Sequence, residues 1–221
     1  MARSNNRLLI LAAALLLPLA FVVSAWAEDD LIARLQQSYS RTKTYRSKFV
    51  QEAKNKQTGL TTVTKGTVAF RRPGMMRWEY DEPHDKSIIT DGFTIWIYLP
   101  SQKRVYMEMF SQYYASQLPV LFLSGKADLR EQFDVAEQTA GEDGLVPIEL
   151  KPKVPTPGFI KLTLMVDAQQ MRVVATLFVD AYGNTTRIDF TDIETDIDIP
   201  ESHFNFVLPE GVEVISTNDP M

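Results

Sequence analysis

Four carboxylates near the C-terminus, Asp192, Glu194, Asp196 and Asp198, alternate with Ile193, Thr195, Ile197 and Ile199. A period of two puts all four on one face of a strand, and a hard cation such as calcium takes several oxygen ligands. Calcium loops bend around their ion with the help of glycine, and no glycine interrupts this run. A solvated, charged strand that resists edge-to-edge pairing is the better reading. Phe190 and Ile193 are both apolar but of opposite parity, which predicts a β-bulge near Thr191. His84 stands beside Asp85 in a polar turn and reads as a solvated loop residue rather than a base. The chain has no G-x-S-x-G turn and no H-E-x-x-H, and its 28 acidic residues offer carboxylate pairs without selecting one. It has no cysteine, which excludes disulfides, thiolate metal sites, thiol nucleophiles and a cysteine-linked lipid anchor. With only two histidines, a His-rich metal site is not expected either. No enzyme is read from these residues, and no cofactor is expected.

The densest unusual stretch runs from Gly66 to Tyr80. Strand periodicity places Gly66, Val68, Phe70 and Arg72 on one face, with Thr67, Ala69 and Arg71 on the other. Beyond the Pro73-Gly74 turn, Met76, Trp78 and Tyr80 share a face opposite Arg77 and Glu79. An arginine in register with an apolar face is costly unless its guanidinium finds acceptors. Two readings fit Arg72: a latch onto backbone carbonyls of a covering element, or snorkelling at a strand end. Arg71, on the other face, is expected to tolerate leucine.

The elements that position these residues follow from punctuation and period. Arg3 and Arg7, an uncharged and mostly apolar run from Leu8 to Val23, and Ala25-Trp26-Ala27 read as a signal peptide over 1–27 rather than an uncleaved membrane anchor, since the run is short for a bilayer and contains Pro18, leaving a single domain over 28–221. Without Arg3 and Arg7, 21 basic residues face 28 acidic ones, a net charge of −7. That charge argues against nucleic acid and against anionic lipid surfaces. Asp29 and Asp30 are N-cap candidates for a short amphipathic helix carrying Leu31, Ile32, Leu35 and Tyr39 and ending near Thr42. From Thr44 the period becomes two. Strands are predicted at about 45–51, 61–70, 75–80, 86–90, 93–99, 103–108, 132–139, 145–151, 158–167, 172–180 and 185–199. One or two short helices are predicted between Phe110 and Gly125. Several strands are apolar on both faces: Phe93, Ile95, Ile97 and Leu99 oppose Trp96 and Tyr98, while Val173, Ala175, Leu177 and Val179 oppose Val174 and Phe178. Something must cover each face. A curved sheet around helices and a two-sheet sandwich both satisfy the pattern.

Arg72-Pro73 followed by Trp78, then Ser87 to Gly92, Thr94 to Pro100, and Phe204-Asn-Phe206 with Pro209 to Val214, with Phe49-Val-Gln51 upstream, form an ordered series. It resembles the LolA family of periplasmic lipoprotein carriers over about Asp30 to Ile215. The resemblance implies an incomplete, half-open antiparallel β-barrel of about eleven strands, with a helical lid over an apolar cavity that holds lipoprotein acyl chains. It also implies a soluble periplasmic chaperone that is a monomer. Such a chaperone takes lipoproteins from an inner-membrane releasing ABC transporter and delivers them to an outer-membrane receptor or acceptor membrane. The family's lid-locking arginine maps onto Arg72, and Met76 stands where some members carry an aromatic residue. The candidate cavity residues are Phe70, Met76, Trp78, Tyr80, Ile95 and Ile97 on strands, and Leu118, Leu121 and Phe122 on the lid, with Leu31, Leu35 and Tyr39 beside them. Trp96 and Tyr98 are the alternative inward pair. A lipid- or glycolipid-binding or stress-sensing module of the same shape, and an unrecognised hydrolase, are the competing readings.

Overall fold

The computed structural model describes residues 30–109, 128–155 and 158–216. The signal segment and the region from Phe110 to Gly125, with Leu118, Leu121 and Phe122, lie outside the described residues.

Helix α1 (Leu31–Arg41) is capped by Asp30, whose carboxylate accepts from the Ile32 and Ala33 amides. The chain then runs through β1 (Thr44–Lys54), β2 (Thr61–Arg71), β3 (Met75–Tyr80), β4 (Lys86–Thr90), β5 (Thr94–Leu99) and β6 (Arg104–Met109). A one-turn helix α2 (Leu129–Gln132) leads into β7 (Phe133–Glu137), β8 (Val146–Pro152), β9 (Lys161–Asp167), β10 (Arg172–Val179) and β11 (Thr185–Thr195). A short 3₁₀ turn (Glu201–Phe204) and β12 (Glu213–Ser216) follow. The twelve strands form one sheet in the order β12-β6-β5-β4-β3-β2-β1-β11-β10-β9-β8-β7. All neighbours are antiparallel except β12, which lies parallel to β6. β7 and β12 are the two unpaired ends, so the sheet does not close into a barrel. Sequence patterning predicts about eleven strands; β12 is the addition, a four-residue strand too short to show a period.

A flat sheet of twelve strands would be about 53 Å wide at ~4.8 Å per strand, whereas α1 is only about 16 Å long. One buried cluster nevertheless joins Ile95 on β5, Trp78 on β3, Phe49 on β1, Leu164 on β9 and Phe133 on β7 with Ile32, Leu35 and Tyr39 of α1. The sheet must therefore curl around the helix. Its other face is covered by the chain after β11. Ile199 and Phe204 pack on Ala69, with Met75 and Ile197 alongside, and Phe206 stacks on Trp96 at 5.9 Å between ring centroids. Among the described residues, β2, β3 and β5 thus meet an apolar cover on each face of one curled sheet, without a second sheet.

One expectation is corrected, and one side chain takes contacts that its own segment does not show. The face assignment within β10 assumes an unbroken period, but the register against β9 slips between Val173 and Ala175. Val173 consequently joins the same buried cluster that Phe178 packs against. Arg71 is not a neutral surface residue: its guanidinium donates to the Ile199 carbonyl at 2.8 Å and meets Glu201 at 3.4 Å. The predicted bulge is present. Arg46 pairs with Glu194 and Lys48 with Thr191, so β11 carries one extra residue, and Asp192 there has a φ of 51°.

Phe204, the anchor of the second cover, is fully buried. Phe204→Ala should cost about 3–5 kcal/mol, read as a fall in the urea midpoint at unchanged slope.

Candidate functional site

The helix-covered face is paved with aromatic rings, and antiparallel register brings them together. Tyr45 lies opposite Phe70 and Phe49 opposite Gly66; Phe70 lies opposite Met76 and Val68 opposite Trp78. Gly66 leaves room here, since a Cβ at this position would lie 3.0 Å from the Phe49 ring and far closer to the Glu79 carbonyl. The Phe49 ring approaches Trp78 to 4.9 Å and Tyr80 to 5.0 Å, centroid to centroid. Trp78 in turn meets Phe190 at 6.3 Å. The edge-on pair of Phe49 with Tyr80 adds about 0.5–1.5 kcal/mol to simple burial.

Of the residues singled out from sequence, Phe70, Met76, Trp78 and Ile95 all lie in this cluster, and Tyr80 packs against it. Ile97 is half-buried and pairs with Ile88, another residue packed on the cluster, so it shares that face. Trp96 and Tyr98 point the other way, to Phe206. Phe49, Phe190 and Tyr45 are equal partners in the cluster. Their own strand periodicity marks them as apolar-face residues, but their contact with Trp78 and Phe70 needs the register of β1 against β2 and β11. At the margin, the Tyr80 hydroxyl donates to Gln51 Oε1 at 3.3 Å. Lys86 Nζ sits 4.1 Å from the centre of the Tyr80 ring, and burial pulls its pKa below the usual lysine range.

Helix α1 is clamped onto this face at both ends. Arg72 donates through Nε to the Thr42 carbonyl at 2.8 Å and through Nη2 to the Tyr39 carbonyl. These are carbonyls at the helix C-terminus, where partners are otherwise lacking and the helix dipole favours a cation. The acceptors sit on the first helix, and desolvation of the half-buried guanidinium pulls its pKa down. The buried Tyr39 hydroxyl accepts from the Val173 amide at 3.0 Å, and its burial pushes its pKa up. At the other end, Asp30 pairs with Arg130 at 2.7 Å. That hydrogen bond, chiefly, holds the Asp30 carboxyl below its usual range.

The acidic ladder at the end of β11 meets groups at the start of β1 and just before it. Glu194 binds Arg46 at 2.7 Å, Asp192 binds Lys48 at 2.9 Å, and Asp196 accepts from the Lys43 amide at 2.7 Å. Among the described residues no cluster of acidic, histidine or cysteine side chains is arranged to hold a metal.

An apolar sheet face under a helix that is docked by side chains and tied by carbonyl bonds defines a binding protein with a cover. The family described as "Outer membrane lipoprotein carrier protein LolA" matches residues 40–207, and the chain belongs to it. The outer-membrane lipoprotein carrier protein of Dechloromonas aromatica is 31% identical over 190 residues, covering 86% of this chain and 89% of that protein. The protein of the same name from Azotobacter vinelandii is 31% identical over 208 residues, covering 91% and 96%. Among solved structures, an uncharacterized conserved protein from Thermus thermophilus shares the fold, with a TM-score of 0.55 at 12% identity over 84% of this chain and 96% of that one.

Hydrogen bonds to a charged group are worth about 1.5–3 kcal/mol each, toward the lower figure at a half-exposed site. Arg72→Leu should therefore speed amide exchange across α1 by roughly tenfold or more while leaving 197–206 protected. Arg71→Leu should do the reverse. Exchange monitored by NMR separates the two, and equal effects on both covers would sink the assignment. Because the Asp30 pKa is depressed on folding, its contribution is present at neutral pH and is lost as pH falls through the folded-state value. The gap in unfolding midpoint between the native chain and Asp30→Asn should close in acid below about pH 4.

Proposed function

We propose that this chain is exported, loses residues 1–27, and works in the periplasm as a non-enzymatic chaperone for lipoproteins. Its apolar face sequesters lipoprotein acyl chains released at the inner membrane, and it yields them at the outer membrane. The observation that carries this reading is the aromatic face of β1–β3 and β11 beneath a helix fastened through Arg72. The name shared by relatives that align over nearly the whole chain supports it, as does a family description that is of a carrier rather than a catalyst. No described helix is long and apolar enough to cross a membrane.

The energetics suit a reversible carrier. Each methylene buried contributes about 0.8 kcal/mol, so long acyl chains do not stay in water unaided. To expose the apolar face to them, α1 must lift and the Arg72 bonds must break. Loading therefore costs what reclosure returns, and closed and loaded states can lie close in energy. In the cell the donor is an inner-membrane ABC transporter that releases lipoproteins, and the recipient an outer-membrane receptor or the acceptor membrane itself. Met76, fully buried beside Phe70, gives the face a polarisable, adaptable side chain.

Protein purified from its native envelope should begin at Glu28 and carry lipoprotein, identified by N-terminal sequencing and mass spectrometry of what co-elutes. Free lipid alone would favour a lipid-binding module, and nothing bound would keep a hydrolase open. In a transfer assay, Arg72→Leu should hold cargo more tightly and hand it over more slowly, because unloading regains nothing from reclosure. Transfer at the native rate by Arg72→Leu would refute the latch.

A further inference from the structure

The aromatic face ends in a rim of hydrogen-bond donors. Along β3, Met76, Trp78 and Tyr80 share the helix-covered face, and the strand from Met76 to Tyr80 spans about 13 Å at ~3.3 Å per residue. The Met76 end adjoins the Arg72 clamp on α1. At the far end Tyr80 stands opposite Lys86 on β4 and opposite Gly66 on β2. Gly66 carries no side chain, so the Tyr80 ring reaches across β2 to Phe49 of β1, 5.0 Å between centroids. Its hydroxyl meets Gln51 Oε1, also on β1, at 3.3 Å. On the other side, Lys86 Nζ lies 4.1 Å from the centre of the same ring. One ring therefore has a donor on each flank: the Lys86 ammonium, and the Gln51 amide nitrogen, whose partner oxygen is the atom that Tyr80 uses.

An ammonium in this place works against the apolar face that it borders. Burial disfavours its charge and pulls its pKa down. Glu79, the residue before Tyr80, points to the opposite face and is held there by Arg77 and Ser87. Among the described residues Lys86 has no carboxylate partner, and a desolvated charge without an anion is kept at a cost in stability. A methionine would cover the Tyr80 ring without that cost. The rim's chemistry says what offsets it. Ammonium and amide N–H groups donate and do not accept. An acyl chain is apolar over its length and ends in a carbonyl oxygen, which accepts and does not donate. A chain laid over Trp78 and Tyr80 with its carbonyl toward β4 brings that oxygen to the two donors. The reverse orientation sets a methyl end against an ammonium.

We infer that Lys86 and Gln51 bind the acyl carbonyl oxygen of a lipid whose chain lies over Trp78 and Tyr80, and so fix which way the chain enters. The inference rests on the reading that acyl chains occupy this face. The shared chemistry has two sources, the ester of an acylated glycerol and the carboxylate of a free fatty acid. The test is a calorimetric titration of the full mature chain, freed of cargo, with 1-decanoylglycerol, with 1-O-decylglycerol and with decanoate, each below its micelle concentration. The ether has the same chain and no carbonyl, so the ester should bind about tenfold more tightly, as one charge-assisted hydrogen bond requires. Lys86→Met should bring the ester to within about twofold of the ether, and Gln51→Leu should narrow the gap about threefold. Should Lys86→Met fail to fold, Lys86→Gln, which keeps a neutral donor, should narrow the gap about threefold in its place. Decanoate at least about tenfold tighter than the ester identifies a free fatty acid as the source, and weaker or equal binding an esterified chain. Equal affinity of the native chain for ester and ether overturns the inference, as does a native ratio in both the Lys86 and Gln51 variants. Binding of neither glycerol lipid overturns the acyl-binding reading of the face as well.

Discussion

Two consecutive arginines hold this protein's layers together. In a strand, neighbours point to opposite faces, so Arg71 and Arg72 at the end of β2 reach opposite covers. Arg72 takes the terminal carbonyls of α1, and Arg71 takes the carbonyl of Ile199 in the segment after β11. Arg77 repeats the device on the second face, donating to the His203 carbonyl at 3.1 Å. Carbonyl groups at helix ends and in irregular chain lack partners of their own, and a guanidinium on an apolar face lacks acceptors. Each removes the other's desolvation penalty. The sheet can then be apolar on both sides without a second sheet.

The two covers differ in a way that suits their roles. The outer one is continuous with β11, packs the fully buried Phe204 and ends as β12 on the sheet edge, so removing it would strip a strand. Among the described residues the helical one is a single short helix, with Ile32, Leu35 and Tyr39 in the core cluster and Leu31 packed against it, and it is held by Arg72, the Tyr39 hydroxyl and the Asp30–Arg130 pair among others. Few contacts, each breakable on its own, mark an element that can open locally while the sheet persists. Beneath it lies the aromatic face, the surface proposed above to take acyl chains in the helix's place. Membership of the lipoprotein carrier family gives that exchange its biological sense.

Much of this was legible in advance because strands advertise themselves by alternation and by turn chemistry. The bounds of β3 and β4 coincide with their predicted spans, and the bulge in β11 follows from the clash of parity between Phe190 and Ile193. The same rule fails at Val173, where the register slip falls in a run of valines and nothing in residue type marks it. Strand β12 escapes because four residues carry no period. The pairing of Arg71 with Ile199 escapes because the two are 128 residues apart, and no local pattern encodes a partner at that distance.

By itself the sequence determined where eleven of the twelve strands run, which face most of their residues take, that several strands are apolar on both faces, and that an arginine stands at the edge of one of them. Those are properties of period and polarity within a few residues. Only the tertiary structure decided what covers each face, that Arg71 serves the outer cover as Arg72 serves the inner one, and that Phe49 and Phe190 join Trp78 in one cluster. Those depend on how far the sheet curls and on the register of strands distant in the chain. Both are set by the balance of packing over the whole molecule rather than by any one segment.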